Sequence, residues 1–97
     1  MHIQPTHQFK SPYFLLKTAE NKLQHSRYGF IVSKRVDTRA VVRNRIKRQY
    51  RACIENELSN IKQGYDMLFI VKKESLGSHA NEICQAVTAA LKKGAML

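Results

Sequence analysis

Residues Ala40–Arg51 read AVVRNRIKRQYR, the spacing of a helix with two unlike faces. At about 100° per residue, Val42, Ile46, Tyr50 and Cys53 fall in one sector, joined further along by Ile61. Arg43, Asn44, Lys47, Arg48 and Arg51 fall in a second sector, and Arg45 lies outside it, near the other margin of the apolar stripe. Such a stripe must be buried against a neighbouring layer, which turns the basic sector outward. The helix can extend from Arg39 to about Lys62, a stretch without Gly or Pro. Asp37 and Thr38 precede it as N-caps, and Gln63-Gly64 closes it with the C-terminal glycine signal.

On the C-terminal side, Gly64–Lys72 (GYDMLFIVK) is a continuous apolar strand of the kind buried on both faces. After a turn around Ser75–Gly77, Ser78 can cap a last helix ending near Gly94, in which Ala80, Ile83, Cys84, Val87, Ala90 and Leu91 keep helical spacing. On the N-terminal side, Arg27–Lys34 reads as a strand with Gly29 marking a bulge, and Phe9–Lys17 as another, with Pro12 tolerable near its start. Residues 18–26 connect them, so that the two can pair as a hairpin, and residues 1–8 form a short leading segment. The expected order is β-β-α-β-α: an α+β sandwich with a small mixed sheet, a long basic helix and a C-terminal helix, one domain over residues 1–97.

A chain of 97 residues, 43% hydrophobic and 25% charged, has globular composition and room for one modest core. That excludes a large enzyme with a deep cleft of its own. Its net charge of +10 calls for a polyanionic partner: a nucleic acid, an acidic membrane face or an acidic protein. The charge is local. Eight of the 17 Lys and Arg lie between Lys34 and Arg51 (Lys34, Arg35, Arg39, Arg43, Arg45, Lys47, Arg48 and Arg51), opposed only by Asp37, so this stretch alone carries +7. A merely solvated face would intersperse both signs. Arg outnumbers Lys four to one from Arg43 to Arg51, and a guanidinium fork suits bidentate phosphate contact. A membrane-surface helix would need its apolar face free, whereas here that face belongs to the core. No stretch is long enough to span a bilayer, the longest apolar run being Met67–Val71.

Catalytic chemistry has little to stand on. His2, His7, His25 and His79 are scattered, and neither a paired-carboxylate motif nor a phosphate-binding glycine loop is present. No catalytic residue and no protein-bound metal or cofactor is expected. Cys53 and Cys84 sit on apolar helix stripes, where a small buried hydrophobe with a free thiol is the plain account. Two thiols without an export signal point to a reducing, cytoplasmic setting.

The basic stretch resembles the signature of the bacterial ribonuclease P protein component. Arg43-Asn44-Arg45 followed by Ile46-Lys47-Arg48 matches that family's helix motif, and Val32-Ser33-Lys34-Arg35 matches the end of the preceding strand. Arg27-Tyr28-Gly29 and Gly64-Tyr65-Asp66 match two further blocks, in order, from about residue 9 to the end. The resemblance implies an α/β sandwich and a ribonucleoprotein role. The RNA subunit, with Mg2+, would carry out the phosphodiester hydrolysis, while the protein assists removal of the 5′ leader of precursor tRNA. Arg43, Asn44, Arg45, Lys47, Arg48 and Arg51 would contact that RNA, with Lys34, Arg35 and Arg39 of the same basic cluster beside them.

The leader would lie in a cleft on the sheet. Candidates to line it are Phe9, Tyr13, Phe14 and Lys72, with ordinary sheet core as the competing account of the aromatic ones. Family members usually carry a helix before the first strand. Here only MHIQPTHQ precedes it, without helical pattern, so that helix is expected to be missing. The implied assembly is a monomer bound one-to-one to the RNA, away from membranes. A non-catalytic structural RNA-binding protein of ribosomal type is the alternative, since charge and fold would look alike.

Overall fold

The computed structural model describes residues 7–94, in the order β1 (His7–Lys10), β2 (Phe14–Glu20), β3 (Arg27–Ile31), α1 (Ala40–Glu57), β4 (Tyr65–Val71), a 3-10 turn (Lys73–Ser75) and α2 (Ala80–Lys93). The four strands form one sheet in the order β1-β2-β4-β3. β1 pairs antiparallel with β2, β2 antiparallel with β4, and β3 parallel with β4. Residues 1–6, most of the leading segment in which a helix is expected to be missing, lie outside the described residues.

Two expectations about the sheet are corrected. Phe9–Lys17 is not one strand: Pro12, which has no N–H to offer a ladder, sits in a tight turn in which Ser11 N–H donates to Phe14 O at 2.9 Å. The chain reverses there into the β1–β2 hairpin. Nor do the strands of Phe14–Glu20 and Arg27–Ile31 pair with each other, because β4 lies between them. β4 alone is apolar on both sides, with five of its seven residues buried (Asp66, Met67, Leu68, Phe69 and Val71), and an interior strand of a sheet is where such a run belongs.

Strand alternation assigns the two faces. Phe14, Leu16 and Thr18 of β2 are buried while Leu15, Lys17 and Ala19 are not. Their partners Val71, Phe69 and Met67 carry the same face across β4. On it lie Val42, Ile46, Tyr50, Cys53 and Ile54 of α1 and Ile83, Val87, Ala90 and Leu91 of α2, closing a single core. Tyr50, fully buried, meets Phe14 edge-on at 5.8 Å between ring centroids and Phe69 at 6.1 Å. Its hydroxyl lies 2.6 Å from Ser75 Oγ, which in turn donates to Tyr13 O at 2.8 Å. Burial pushes the Tyr50 hydroxyl up to about 12, so it stays a neutral donor.

The helix ends also differ in detail. α1 stops at Glu57, not Lys62, because a turn in which Asn60 and Ile61 N–H donate to Glu57 O swings Ile61 back into the core. Neither Asp37 nor Thr38 stands at the N-cap of α1; that position is Arg39, whose side chain makes no capping hydrogen bond to the helix. Ser78 does not cap α2, its hydroxyl donating instead to Glu74 O at 2.8 Å, and His79 stands at the cap position.

Cys53 and Cys84 are not free thiols: they form a disulfide, with 5.2 Å between Cα atoms. The apolar stripes of α1 and α2 face each other, and a separation of 31 residues in sequence brings α2 back alongside α1. The free-thiol argument for a reducing compartment therefore falls away. No helix among the described residues is long and apolar enough to cross a membrane.

Candidate nucleic-acid interface

The loop from Ile31 to α1 is held by two buried valines, Val32 and Val36, with Val36 N–H donating to Ser33 O at 3.0 Å. Pinning both ends of that turn leaves Lys34 and Arg35 exposed between them. Next comes an ion pair: Asp37 takes two bonds from the Arg39 guanidinium, at 3.0 and 2.9 Å, and one from Arg39 N–H at 2.8 Å. Those bonds hold the Asp37 carboxyl down at about 2. Arg43 reaches back from the first turn of α1 and donates to the carbonyls of Asp37 and Thr38, at 3.1 and 2.7 Å. Arg39 and Arg43 thus spend donors on the entry to α1.

Beyond that entry the face opens. Asn44, Arg45, Arg48 and Arg51 are exposed, while Lys47 is half-buried on the flank beside Arg43. Arg45 joins the open face after all, because the buried stripe ends at Val42 on that side. Arg51 lies over the Phe30 ring at 5.9 Å, a cation–π contact that steers its position while leaving its donors free. Val41, 75% exposed, sits in the middle of the same surface, one and two turns before Arg45 and Arg48. The first turn of α1 contains no acidic residue; Glu55 and Glu57 appear only at the far end. Charge and helix dipole therefore add at the N-terminal half. An extended polyanion laid along this face would meet guanidinium forks at successive turns from Arg45 to Arg51, and its first carboxylate only at Glu55, one turn further on.

The four residues proposed for a sheet cleft are not brought to one surface. Phe14 is fully buried against Tyr50 and Phe69, so it has no face to offer a base; it is core. Phe9 is half-buried, its ring so near Gly94 that a Cβ there would stand 2.8 Å from it. It walls a cavity of about 250 Å3 between the β1–β2 turn and α2, with Ser11, Pro12, Ala86, Ala90 and Lys93. Tyr13 is half-buried and donates from its hydroxyl to Glu82 at 3.2 Å, and its ionisation is pushed upward by burial and then by that carboxylate. Lys72 Nζ donates to Ser11 O at 3.0 Å. Tyr13 and Lys72 do meet, at the end of the sheet where Lys72 N–H also donates to Tyr13 O.

The helix-free face of the sheet carries a different set. Leu15 pairs across to Ile70, which pairs to Ile31; Lys17 pairs across to Leu68; and Lys10 lies beside Leu15 on β1. This is an aliphatic strip rimmed by lysines, with Ile31 44% exposed. Arg27 closes one end, donating to both carboxylate oxygens of the buried Asp66 at 2.7 and 2.6 Å, with Asn21 as a third donor at 3.0 Å. The period-two alternation of Phe14–Glu20 was the signal that could have found Leu15 and Lys17. Among the described residues, no three His, Cys, Asp or Glu converge as a metal site would require.

A family model described as Ribonuclease P matches residues 2–95. The Ribonuclease P protein component of Synechocystis sp. is 43% identical over 58 residues, covering 60% of this chain and 47% of that protein. The protein of the same name from Chloroflexus aurantiacus is 33% identical over 90 residues, covering 92% of this chain and 66% of that one. The chain thus spans about half to two thirds of the length of these curated relatives. Among solved structures, the Staphylococcus aureus RNase P protein superposes with a TM-score of 0.83 at 28% identity, covering 93% of this chain and 82% of that one. The Thermotoga maritima RNase P protein, solved with 1-(4-fluorophenyl)-2-thiourea, shares the fold at a TM-score of 0.80 and 24% identity, covering 89% and 83% of the two chains.

Proposed function

The chain belongs to the ribonuclease P protein family, and from that premise we propose that it is the protein subunit of a ribonuclease P ribonucleoprotein, acting in the cytoplasm to assist removal of the 5′ leader from precursor tRNA. The observation that carries this reading is the outward face of α1, where Asn44, Arg45, Arg48 and Arg51 stand exposed with no carboxylate among them. This face would dock on the phosphates of the RNA subunit, joined by Lys47 at its flank and by Lys34 and Arg35 from the preceding loop. Arg39 and Arg43 contribute from the helix entry, where their contacts with Asp37 and Thr38 fix the direction in which α1 leaves the sheet.

The hydrolysis itself is assigned to the RNA subunit, which would hold the Mg2+; the described residues of this chain gather no ligand set for it. Its part is to position. The helix-free strip of Leu15, Lys17, Ile31 and Ile70 would bear the unpaired leader, its lysines meeting phosphates and its aliphatic side chains lying against bases. Tyr13 and Lys72 extend that track at the sheet's end. One protein per RNA suffices for this geometry.

The test is cleavage of precursor tRNA by a bacterial ribonuclease P RNA at low magnesium, with and without this chain. Strong stimulation that weakens steeply with salt supports the reading, since neutralising six phosphates makes affinity fall by on the order of 10³ between 50 and 200 mM salt. Binding to many structured RNAs alike, without stimulation, would move the assignment to the ribosomal-type alternative.

A further inference from the structure

The bridge between Cys53 and Cys84 belongs to neither proposed RNA surface, and its two ends are unlike. Cys53 lies in the core, 3% exposed. Cys84 is half-buried and forms part of the wall of an open cavity of about 380 Å3 on the outer side of α2, with Asn81, Gln85, Thr88 and Lys92. Thiol–disulfide exchange needs a thiolate to reach one sulfur, so accessibility at one end is what separates an exchangeable bridge from an inert one. Lys92 in the cavity wall and the chain's net +10 favour an anionic visitor.

We propose that Cys53–Cys84 is an exchangeable redox pair, opened and closed by a small anionic thiol of the glutathione class that enters at Cys84. In opening, the thiolate of the small thiol forms a bond to Cys84 Sγ, the protein S–S bond breaks, and Cys53 leaves with the electron pair and takes a proton from water. A second small thiolate then attacks the outer sulfur of the mixed disulfide. It releases the Cys84 thiolate and one molecule of the symmetrical small disulfide. Two small thiols are oxidised and the bridge is reduced by two electrons; the reverse sequence closes it. Opening removes the covalent tie between the C-terminal half of α1 and α2 and leaves Ile54, Ile83 and Val87 to hold that contact by packing, whereas Val42, Ile46 and Tyr50 keep the N-terminal half seated. The pair therefore sets the firmness of the fold and leaves Arg45 and Arg48 in place. None of this rests on the ribonuclease P reading.

The test equilibrates the full chain in mixtures of reduced and oxidised glutathione without denaturant, quenches with acid, alkylates, and maps each cysteine by peptide mass spectrometry. The bridged fraction should pass from nearly all to nearly none as the reduced form increases, with the melting temperature following it. The trapped adduct should sit on Cys84 at least tenfold more than on Cys53. Likewise, Cys84 in Cys53→Ser should take up glutathione at least tenfold faster than Cys53 in Cys84→Ser. Two free thiols in the most oxidising mixture, a bridge that opens only after denaturant is added, or an adduct that forms first on Cys53 would each overturn the proposal. The mapping uses the unaltered chain, so it decides the matter even if a cysteine variant fails to fold.

Discussion

Replacing Tyr50 by Phe removes one hydroxyl from the densest part of the molecule, and the surrounding geometry fixes what that should cost. The ring contacts with Phe14, Phe30 and Phe69 survive. What is lost is the donor to Ser75 Oγ at 2.6 Å, with the longer 3.3 Å approach to Tyr13 O. Ser75 can still donate to Tyr13 O, and that carbonyl keeps its bond from Lys72 N–H, so no buried acceptor is orphaned. The loss is thus one short neutral hydrogen bond in a water-free site, about 1–1.5 kcal/mol. For a domain of this size that is a fall in Tm of roughly 4–10 °C. Ser75→Ala breaks the same chain from the other end, but leaves the Tyr50 hydroxyl to settle on Tyr13 O, and should cost about 1 kcal/mol. In the double variant the second change has little left to break, so its cost should fall about 1 kcal/mol short of the sum. Chemical denaturation of the four proteins at neutral pH measures this. Additive single costs, or a Tyr50→Phe protein within about 0.3 kcal/mol of wild type, would refute the relay from α1 through Ser75 to the Tyr13 carbonyl just before β2.

Thr18→Val should stabilise the fold by about 1 kcal/mol in the same assay, because the Thr18 hydroxyl is buried without a hydrogen-bond partner and its desolvation is uncompensated. Asp66 is held below the usual carboxylate range, first by the Arg27 guanidinium and then by Asn21. Its contribution is present above the unfolded carboxylate pKa and lost as pH falls through the lowered folded value; Tm should therefore decline on acidification below about pH 4, and less so in Asp66→Asn. Arg45→Ala with Arg48→Ala should leave circular dichroism unchanged and lower the salt slope of RNA-subunit binding by about 0.7–0.9 per removed contact. Arg43→Ala should instead lower Tm as well, since it unties the Asp37 and Thr38 carbonyls. Unfolding in both proteins or neither would undo that distinction.

The two helices were readable because each buries one stripe, and a 3.6-residue period survives whatever lies opposite. What the period does not carry is which stripe faces which. Cys53 and Cys84 looked like two separate small hydrophobes for that reason, and only the packing of α1 on α2 makes them one bridge. The strands show the same limit. The apolar run Met67–Val71 announced an interior strand, but the local cue of a polar connection over residues 18–26 suggested a hairpin between the strands on either side of it, and a strand arriving much later displaced that pairing. Phe14 was drawn into the cleft by its aromatic ring; its alternation with Leu16 and Thr18 already placed it on the buried face. Asp37 and Ser78 were sound cap types whose oxygens found other partners. The basic face needed no such detail, because charge crowded onto one helix stays crowded in any fold that buries Val42, Ile46 and Tyr50.

The position of β4 at the centre of the sheet governs how the chain can fold in time. Leu16 and Phe30 both pair with Phe69, so until the chain beyond α1 has been synthesised Leu16 has only its β1 neighbour Phe9 and Phe30 has no strand partner at all. Before then only the β1–β2 hairpin and α1 can form, and α1 forms with its apolar stripe bare and its arginines already displayed. Closure of the sheet around β4, an event between distant segments, should therefore set the folding rate. A nascent chain paused just short of Tyr65 should present a strongly cationic, unseated helix to any RNA nearby, which makes the order of synthesis itself a determinant of what this protein first touches.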